Sequence, residues 1–129
     1  MSTAAPREER PRASLLVSDP AGHRTRVELE RLPFRIGRHA GNDLILRDSR
    51  ASRNHARIVF EKGRYVAEDA GSSHGVWVNG LRVERRPLAE GDAIEFGFPD
   101  SYRLVFVAGT GELAQALEQT LPGAPGRSE

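Results

Sequence analysis

Four short polar clusters stand beside β-prone runs: Gly37-Arg38, Ser52-Arg53-Asn54-His55, Ser72-Ser73-His74-Gly75 and Asn79-Gly80. An arginine makes charge-assisted, often bidentate bonds to an oxyanion, and hydroxyl and backbone N–H groups can satisfy the oxygens that remain. Arg38, Ser52 and Ser73 supply the first two kinds of donor, and Arg53 with its neighbouring backbone adds to them. Such a set can grip a phosphate but is poorly suited to breaking a bond. The same residues also have a purely local reading, in which Gly37 and Gly80 are turn glycines and Ser52 and Ser73 cap nearby backbone. Spacing by itself leaves both readings open.

Hydrolytic and metal chemistry fit the pattern poorly. An esterase-like serine sits on a glycine-flanked, strained turn and takes its base from elsewhere in the chain. Ser52 has no flanking glycines, and His55 three residues on opens a strand that points it elsewhere. His23, His39, His55 and His74 are scattered, without ligand-like spacing to carboxylates. The absence of cysteine removes disulfides, thiolate metal sites and thiol nucleophiles together.

These groups need a rigid frame. The 129 residues suffice for one domain with its own core, and 38% of them are hydrophobic. Short β-prone runs fill residues 14–107. Leu15-Leu16-Val17 leads through Asp19-Pro20-Ala21-Gly22 into the alternating run Arg24–Leu29. Phe34-Arg35-Ile36, Leu44-Ile45-Leu46 and Ala56–Phe60 follow, and Lys62-Gly63 turns the chain into Tyr65-Val66-Ala67. Val76-Trp77-Val78, the turn Asn79-Gly80 and Leu81-Arg82-Val83 come next. Pro87-Leu88 then connects to Ala93–Phe96 and Tyr102–Val107. Many strands at short spacing with no intervening helix predict an all-β antiparallel sandwich or barrel whose loops carry the binding groups. Trp77 and the phenylalanines are expected in its core.

Residues 1–12 read as a disordered lead-in, 13–108 as the domain, and 109–129 as a short helix over about 112–119 followed by a Pro/Gly tail. The polar start is no secretory signal, and no apolar run reaches the length of a membrane span. A formal net charge of +1 gives no global attraction to nucleic acid or an anionic membrane. A cytoplasmic monomer is the expectation.

The run of motifs resembles the forkhead-associated domain family, Arg-based readers of phosphorylated segments. The family's marks are Gly-Arg, Ser-x-x-His and Asn-Gly in that order. They occur here as Gly37-Arg38, Ser52-Arg53-Asn54-His55 and Asn79-Gly80. Phe34-Arg35-Ile36, Asn42-Asp43-Leu44, Ala56 and Gly75-Val76-Trp77-Val78 fit the surroundings of these marks. The likeness spans about residues 14–107.

The resemblance implies a β-sandwich with its binding loops at one end. It implies direct phosphate contacts from Arg38 and Ser52, a further bond from Ser73, and a phosphate-loop contact from Arg53. Gly37, His55, Asn79 and Gly80 would support the loops, with the His55 ring holding them from behind. His74 takes a position where the family often has asparagine, which bonds the peptide backbone. Histidine can donate one such bond but cannot copy the amide's donor–acceptor pair. Arg50 lies where the family can read the residue three after the phosphothreonine.

The implied function is a signalling module that binds threonine-phosphorylated proteins of a Ser/Thr kinase pathway, with no catalysis, cofactor or metal. The alternative is an assembly module that uses the same fold without dependence on phosphate. Thr3 and Thr120 in the ends are candidate internal ligands once phosphorylated.

Overall fold

The computed structural model describes residues 10–109. The expected helix near 112–119 and the greater part of both ends, with Thr3 and Thr120, lie outside the described residues. Eleven strands run in chain order: β1 Ala13–Ser18, β2 Arg24–Glu28, β3 Phe34–Gly37, β4 Leu44–Ile45, β5 Ala56–Glu61, β6 Arg64–Asp69, β7 Val76–Val78, β8 Leu81–Val83, β9 Arg85–Pro87, β10 Ala93–Glu95 and β11 Arg103–Ala108. They form a six-stranded sheet in the order β2-β1-β11-β10-β7-β8 and a five-stranded sheet in the order β4-β3-β5-β6-β9. The fold is an all-β sandwich. Its paired strands run antiparallel except for β3 and β4, which are parallel (Ile36↔Leu44, Gly37↔Ile45).

Alternation explains the two layers. Successive strand side chains point to opposite faces. Leu15, Val17, Leu104 and Phe106 from one sheet therefore meet Ile36, Ile58, Tyr65 and Ala67 from the other, all buried. Val76, Val78, Ile94 and Phe96 complete the core beneath the loops. Burying each large side chain of this kind contributes about 1.5–3 kcal/mol. The hairpin at Lys62-Gly63 has positive φ at both residues (52° and 77°), and so does Asn79-Gly80 (52° and 83°). That is the backbone twist that two-residue hairpins favour.

Two expectations are corrected. Arg85–Pro87 is a strand rather than a plain connection, pairing with β6 as Val66↔Pro87, Ala67↔Arg86 and Glu68↔Arg85. It lies at a sheet edge, where the missing N–H of proline does no harm. The lead-in acquires structure by Arg10, which is buried. Arg10 donates to the Leu29 carbonyl at 3.0 Å, the Tyr65 hydroxyl at 2.7 Å and the Glu30 carbonyl at 2.7 Å. Tyr65 in turn donates to the Pro11 carbonyl at 2.6 Å.

Candidate phosphate-binding site

Three loops meet at one end of the sandwich: residues 38–43 after β3, 46–55 before β5, and 70–75 between β6 and β7. Backbone bonds splice the first two. Arg38 N–H donates to the Ser52 carbonyl at 3.0 Å and His39 N–H to the Arg53 carbonyl at 3.2 Å. The Asn42 amide adds a staple, donating to the carbonyls of His39 (3.0 Å) and Arg53 (2.7 Å). The loops approach so closely that Gly37 has no room for a side chain, since a Cβ there would stand 2.2 Å from the Arg53 carbonyl oxygen.

Arg38, Ser52 and Ser73 are brought together by this weave. The Arg38 side chain is exposed, and its Nε donates to the Ala51 carbonyl at 2.9 Å, fixing the plane of the guanidinium. Half-buried Ser52 accepts the Ser73 N–H on its Oγ at 3.0 Å, joining the second loop to the third. The third loop is closed on itself. Asp69 Oδ1 accepts from the N–H groups of Gly71 and Ser72, at 2.9 and 2.7 Å, and Ser72 Oγ accepts from Gly75 N–H at 2.9 Å. Ser73 and Arg53 stand exposed beside it.

His55 lies behind all three loops with no exposed surface. Its Nδ1 accepts the Ser52 N–H at 3.1 Å and its Nε2 meets the Gly75 carbonyl at 2.8 Å. A backbone N–H can only donate and a carbonyl can only accept, so the ring is neutral with its proton on Nε2. Burial holds its pKa below the usual histidine value, although the Gly75 carbonyl and Asp69 pull the other way.

The remaining predicted residues separate. Arg50 forks onto Asp48, with Nε–Oδ1 at 3.0 Å and an amino group to Oδ2 at 2.8 Å, and lies 4.5 Å from the centroid of Phe98. The hydrogen bonds from Arg50 draw the Asp48 pKa down to about 2. By contrast, Arg38, Arg47 and Arg53 make no ion pair among the described residues. The loop end therefore carries uncompensated positive charge. His74 is exposed, with its ring edge-on to Phe98 at 5.3 Å. Asn79 turns away from the loops. It donates to Asp92 at 2.9 Å and accepts the Ala93 N–H at 3.0 Å, locking β7 to β10 about 10 Å of strand beyond the site.

Trp77 departs from the expectation that it and the phenylalanines lie in the core. Phe34, Phe96 and Phe106 are buried, and half-buried Phe60 and Phe98 pack against the core, but Trp77 is half-buried at the site's edge. Trp77 Nε1 donates to the His74 carbonyl at 3.0 Å. Phe98 touches Arg50 and His55 of the second loop and His74 of the third. Gly97 makes this possible: its φ is +87°, and a Cβ would lie 2.1 Å from the His74 carbonyl oxygen. Only the glycine itself signals this role in the sequence.

The FHA domain family model matches residues 34–97. The glycogen accumulation regulator GarA of Mycolicibacterium smegmatis is 36% identical over 85 residues, covering 66% of this chain and 52% of GarA. This chain thus spans about half the length of that relative. Among solved structures, Mycobacterium tuberculosis EmbR in complex with a low affinity phosphopeptide superposes with a TM-score of 0.66 at 32% identity, over 76% of this chain and 25% of that one. A structure solved in work on phosphothreonine-dependent FHA domain interactions has a TM-score of 0.62 at 26% identity, over 73% of this chain and 95% of that one. With its Gly-Arg, Ser-x-x-His and Asn-Gly motifs set in this two-sheet frame, the chain belongs to the FHA domain family.

Proposed function

We propose that this protein binds phosphothreonine in segments of partner proteins and performs no reaction on them. The convergence of Arg38, Ser52 and Ser73 on one charge-uncompensated loop end carries the reading. Arg38 supplies the guanidinium, Ser52 and Ser73 the hydroxyls, and Arg53 a further cation at the rim. His55 and Gly37 hold the loops in register, while Asn79-Gly80 anchors β7 from its far end. Phosphorylation adds about −1.5 to −2 charge and strong acceptor oxygens at neutral pH, so a Ser/Thr kinase switches the ligand on. The EmbR complex with a phosphopeptide and the phosphothreonine-dependent FHA interactions support carrying this chemistry to the present chain.

The binding unit is residues 13–108, a cytoplasmic monomeric module whose ligand is a protein rather than nucleic acid or a membrane. No cofactor takes part. Threonine is chosen over serine by an apolar niche for the γ-methyl group. The test is a pull-down from a phosphothreonine peptide library with its unphosphorylated counterpart as control, repeated with Arg38→Ala and Ser52→Ala. Capture by the wild type alone, and from the phosphorylated library alone, is the expected result. Equal capture from both libraries, or undiminished capture by folded Arg38→Ala, would transfer the function to an assembly module using another face.

A further inference from the structure

Next to the phosphate loops, a groove of about 490 Å³ opens between the β10–β11 loop and the outer face of β7 and β10. Trp77 and Phe98 give it aromatic walls, and Glu95 and Asp100 line it as carboxylates. Arg103 also lines it, facing Glu95 at 3.9 Å. Trp77 and Glu95 are register partners on neighbouring strands, so ring and carboxylate share one face. Asp100 adds a second carboxylate, which also feels the Arg50 charge, so the lining holds one carboxylate more than it holds arginines.

This groove has the opposite sign to its neighbour. The loop end displays Arg38, Arg47 and Arg53 without ion pairs among the described residues. The groove joins it through two shared parts, namely Phe98, which touches His74, and the Trp77 indole, which donates to the His74 carbonyl at 3.0 Å. Ser73 of the phosphate site is the residue before His74. The phosphate loop and the rim of the groove are therefore adjacent in the fold.

We propose that the groove takes a lysine or arginine side chain of the same phosphorylated segment, making recognition bipartite. The inference rests on the phosphothreonine reading above. A long basic side chain suits the site on each count. Its methylene stem covers apolar wall while its head stays at the carboxylates. Its cation is attracted to the face of an aromatic ring, tryptophan most strongly. Phe98 already holds the Arg50 guanidinium within 4.5 Å of its centroid, so the incoming group meets Trp77, whose register partner on the β8 side is Arg82 and on the β10 side Glu95. Charge complementarity then sets register: the phosphate is drawn to the arginine end and the cation to the acidic groove.

The test uses the full chain and a set of phosphothreonine peptides differing only in one lysine, walked through the positions on either side of the phosphothreonine. Glutamine and leucine at the same positions serve as controls. Fluorescence anisotropy of labelled peptide reads affinity, and the emission of Trp77, the protein's one tryptophan, reports occupation directly. One position should gain roughly three- to tenfold from lysine over glutamine and shift the Trp77 emission. The gain should vanish in the Glu95→Gln/Asp100→Asn double variant, whose affinity for the glutamine peptide stays unchanged. If the double variant melts early, the wild-type emission change with lysine against glutamine decides the matter alone. Peptides that bind with no position favouring lysine, or with leucine favoured instead, overturn the groove while leaving the phosphate site standing. Failure of every peptide to bind overturns the phosphate reading and the groove with it.

Discussion

The Gly75 carbonyl and the His55 ring, twenty residues apart, meet in a 2.8 Å hydrogen bond behind the loops, where His55 has no exposed surface. The opposite nitrogen accepts from Ser52 at 3.1 Å. One neutral imidazole thus ties the loop carrying Ser52 to the loop carrying Ser73. Protonating Nδ1 would turn that acceptor into a second donor facing the Ser52 N–H.

The first prediction is a pH dependence of folding. Burial lowers the His55 pKa in the folded state, so the unfolded chain binds a proton there first as pH falls below about 6.5. Stability from this group is complete above that value. It declines as pH drops toward the folded-state pKa, and no further loss comes below it. Denaturant titrations of the ligand-free protein from pH 8 to 5 should show this decline, and His55→Ala should flatten it while lowering stability at pH 8. Ring ¹⁵N shifts should hold Nδ1 unprotonated at pH 7. A protonated Nδ1 there contradicts the assignment.

The second concerns close approach of backbone. Gly37→Ala should cost about 1–3 kcal/mol, because the added methyl meets the Arg53 carbonyl and must push two loops apart. Gly97→Ala combines such a clash with a left-handed φ of +87° and should cost at least as much. Gly63→Ala is the control: its φ is +77° but the space around it is open, so only backbone strain of about 1–2 kcal/mol applies. Urea midpoints should separate the functional effect as well. Gly37→Ala and Gly97→Ala weaken phosphopeptide binding, whereas Gly63→Ala leaves it intact.

Linkage supplies the third. A cognate phosphopeptide at about 100 times its dissociation constant should stabilise the fold by roughly 2.7 kcal/mol. For a domain of about 100 residues this corresponds to a Tm rise on the order of ten degrees. The unphosphorylated peptide should leave Tm where it was. Matching rises from the two peptides would point away from phosphate recognition.

The fourth addresses Arg50. A free arginine at this rim would favour an acidic residue three after the phosphothreonine by about 0.2–1 kcal/mol. Here Asp48 already occupies its fork and Phe98 its face. Wild type should therefore show about a twofold acidic preference at most, falling further in high salt. Asp48→Asn should raise the preference, and Arg50→Ala should erase it. An acidic preference that Arg50→Ala leaves unchanged would assign it to another residue.

Whatever depends on neighbours in the chain was readable without coordinates. Alternation at Ala56–Phe60 and the turn chemistry of Lys62-Gly63 and Asn79-Gly80 act over two to six residues, so strands and hairpins were legible there. Arg38, Ser52 and Ser73 could be named as candidate donors from residue type, but spacing left a local capping role equally open, and only the resemblance to the FHA family set them on one ligand. Tertiary structure decided what rests on residues meeting from distant positions. Pairing on a sheet edge makes a strand of Arg85–Pro87, whose composition does not suggest one. Docking against Leu29 and Tyr65 buries Arg10 inside a polar lead-in. The crossing of the His74 carbonyl over Gly97 brings the Trp77 indole, and one side of Phe98, to the edge of the site. Hydrophobicity is a property of each residue, but the face it covers is settled only when the two sheets close on each other.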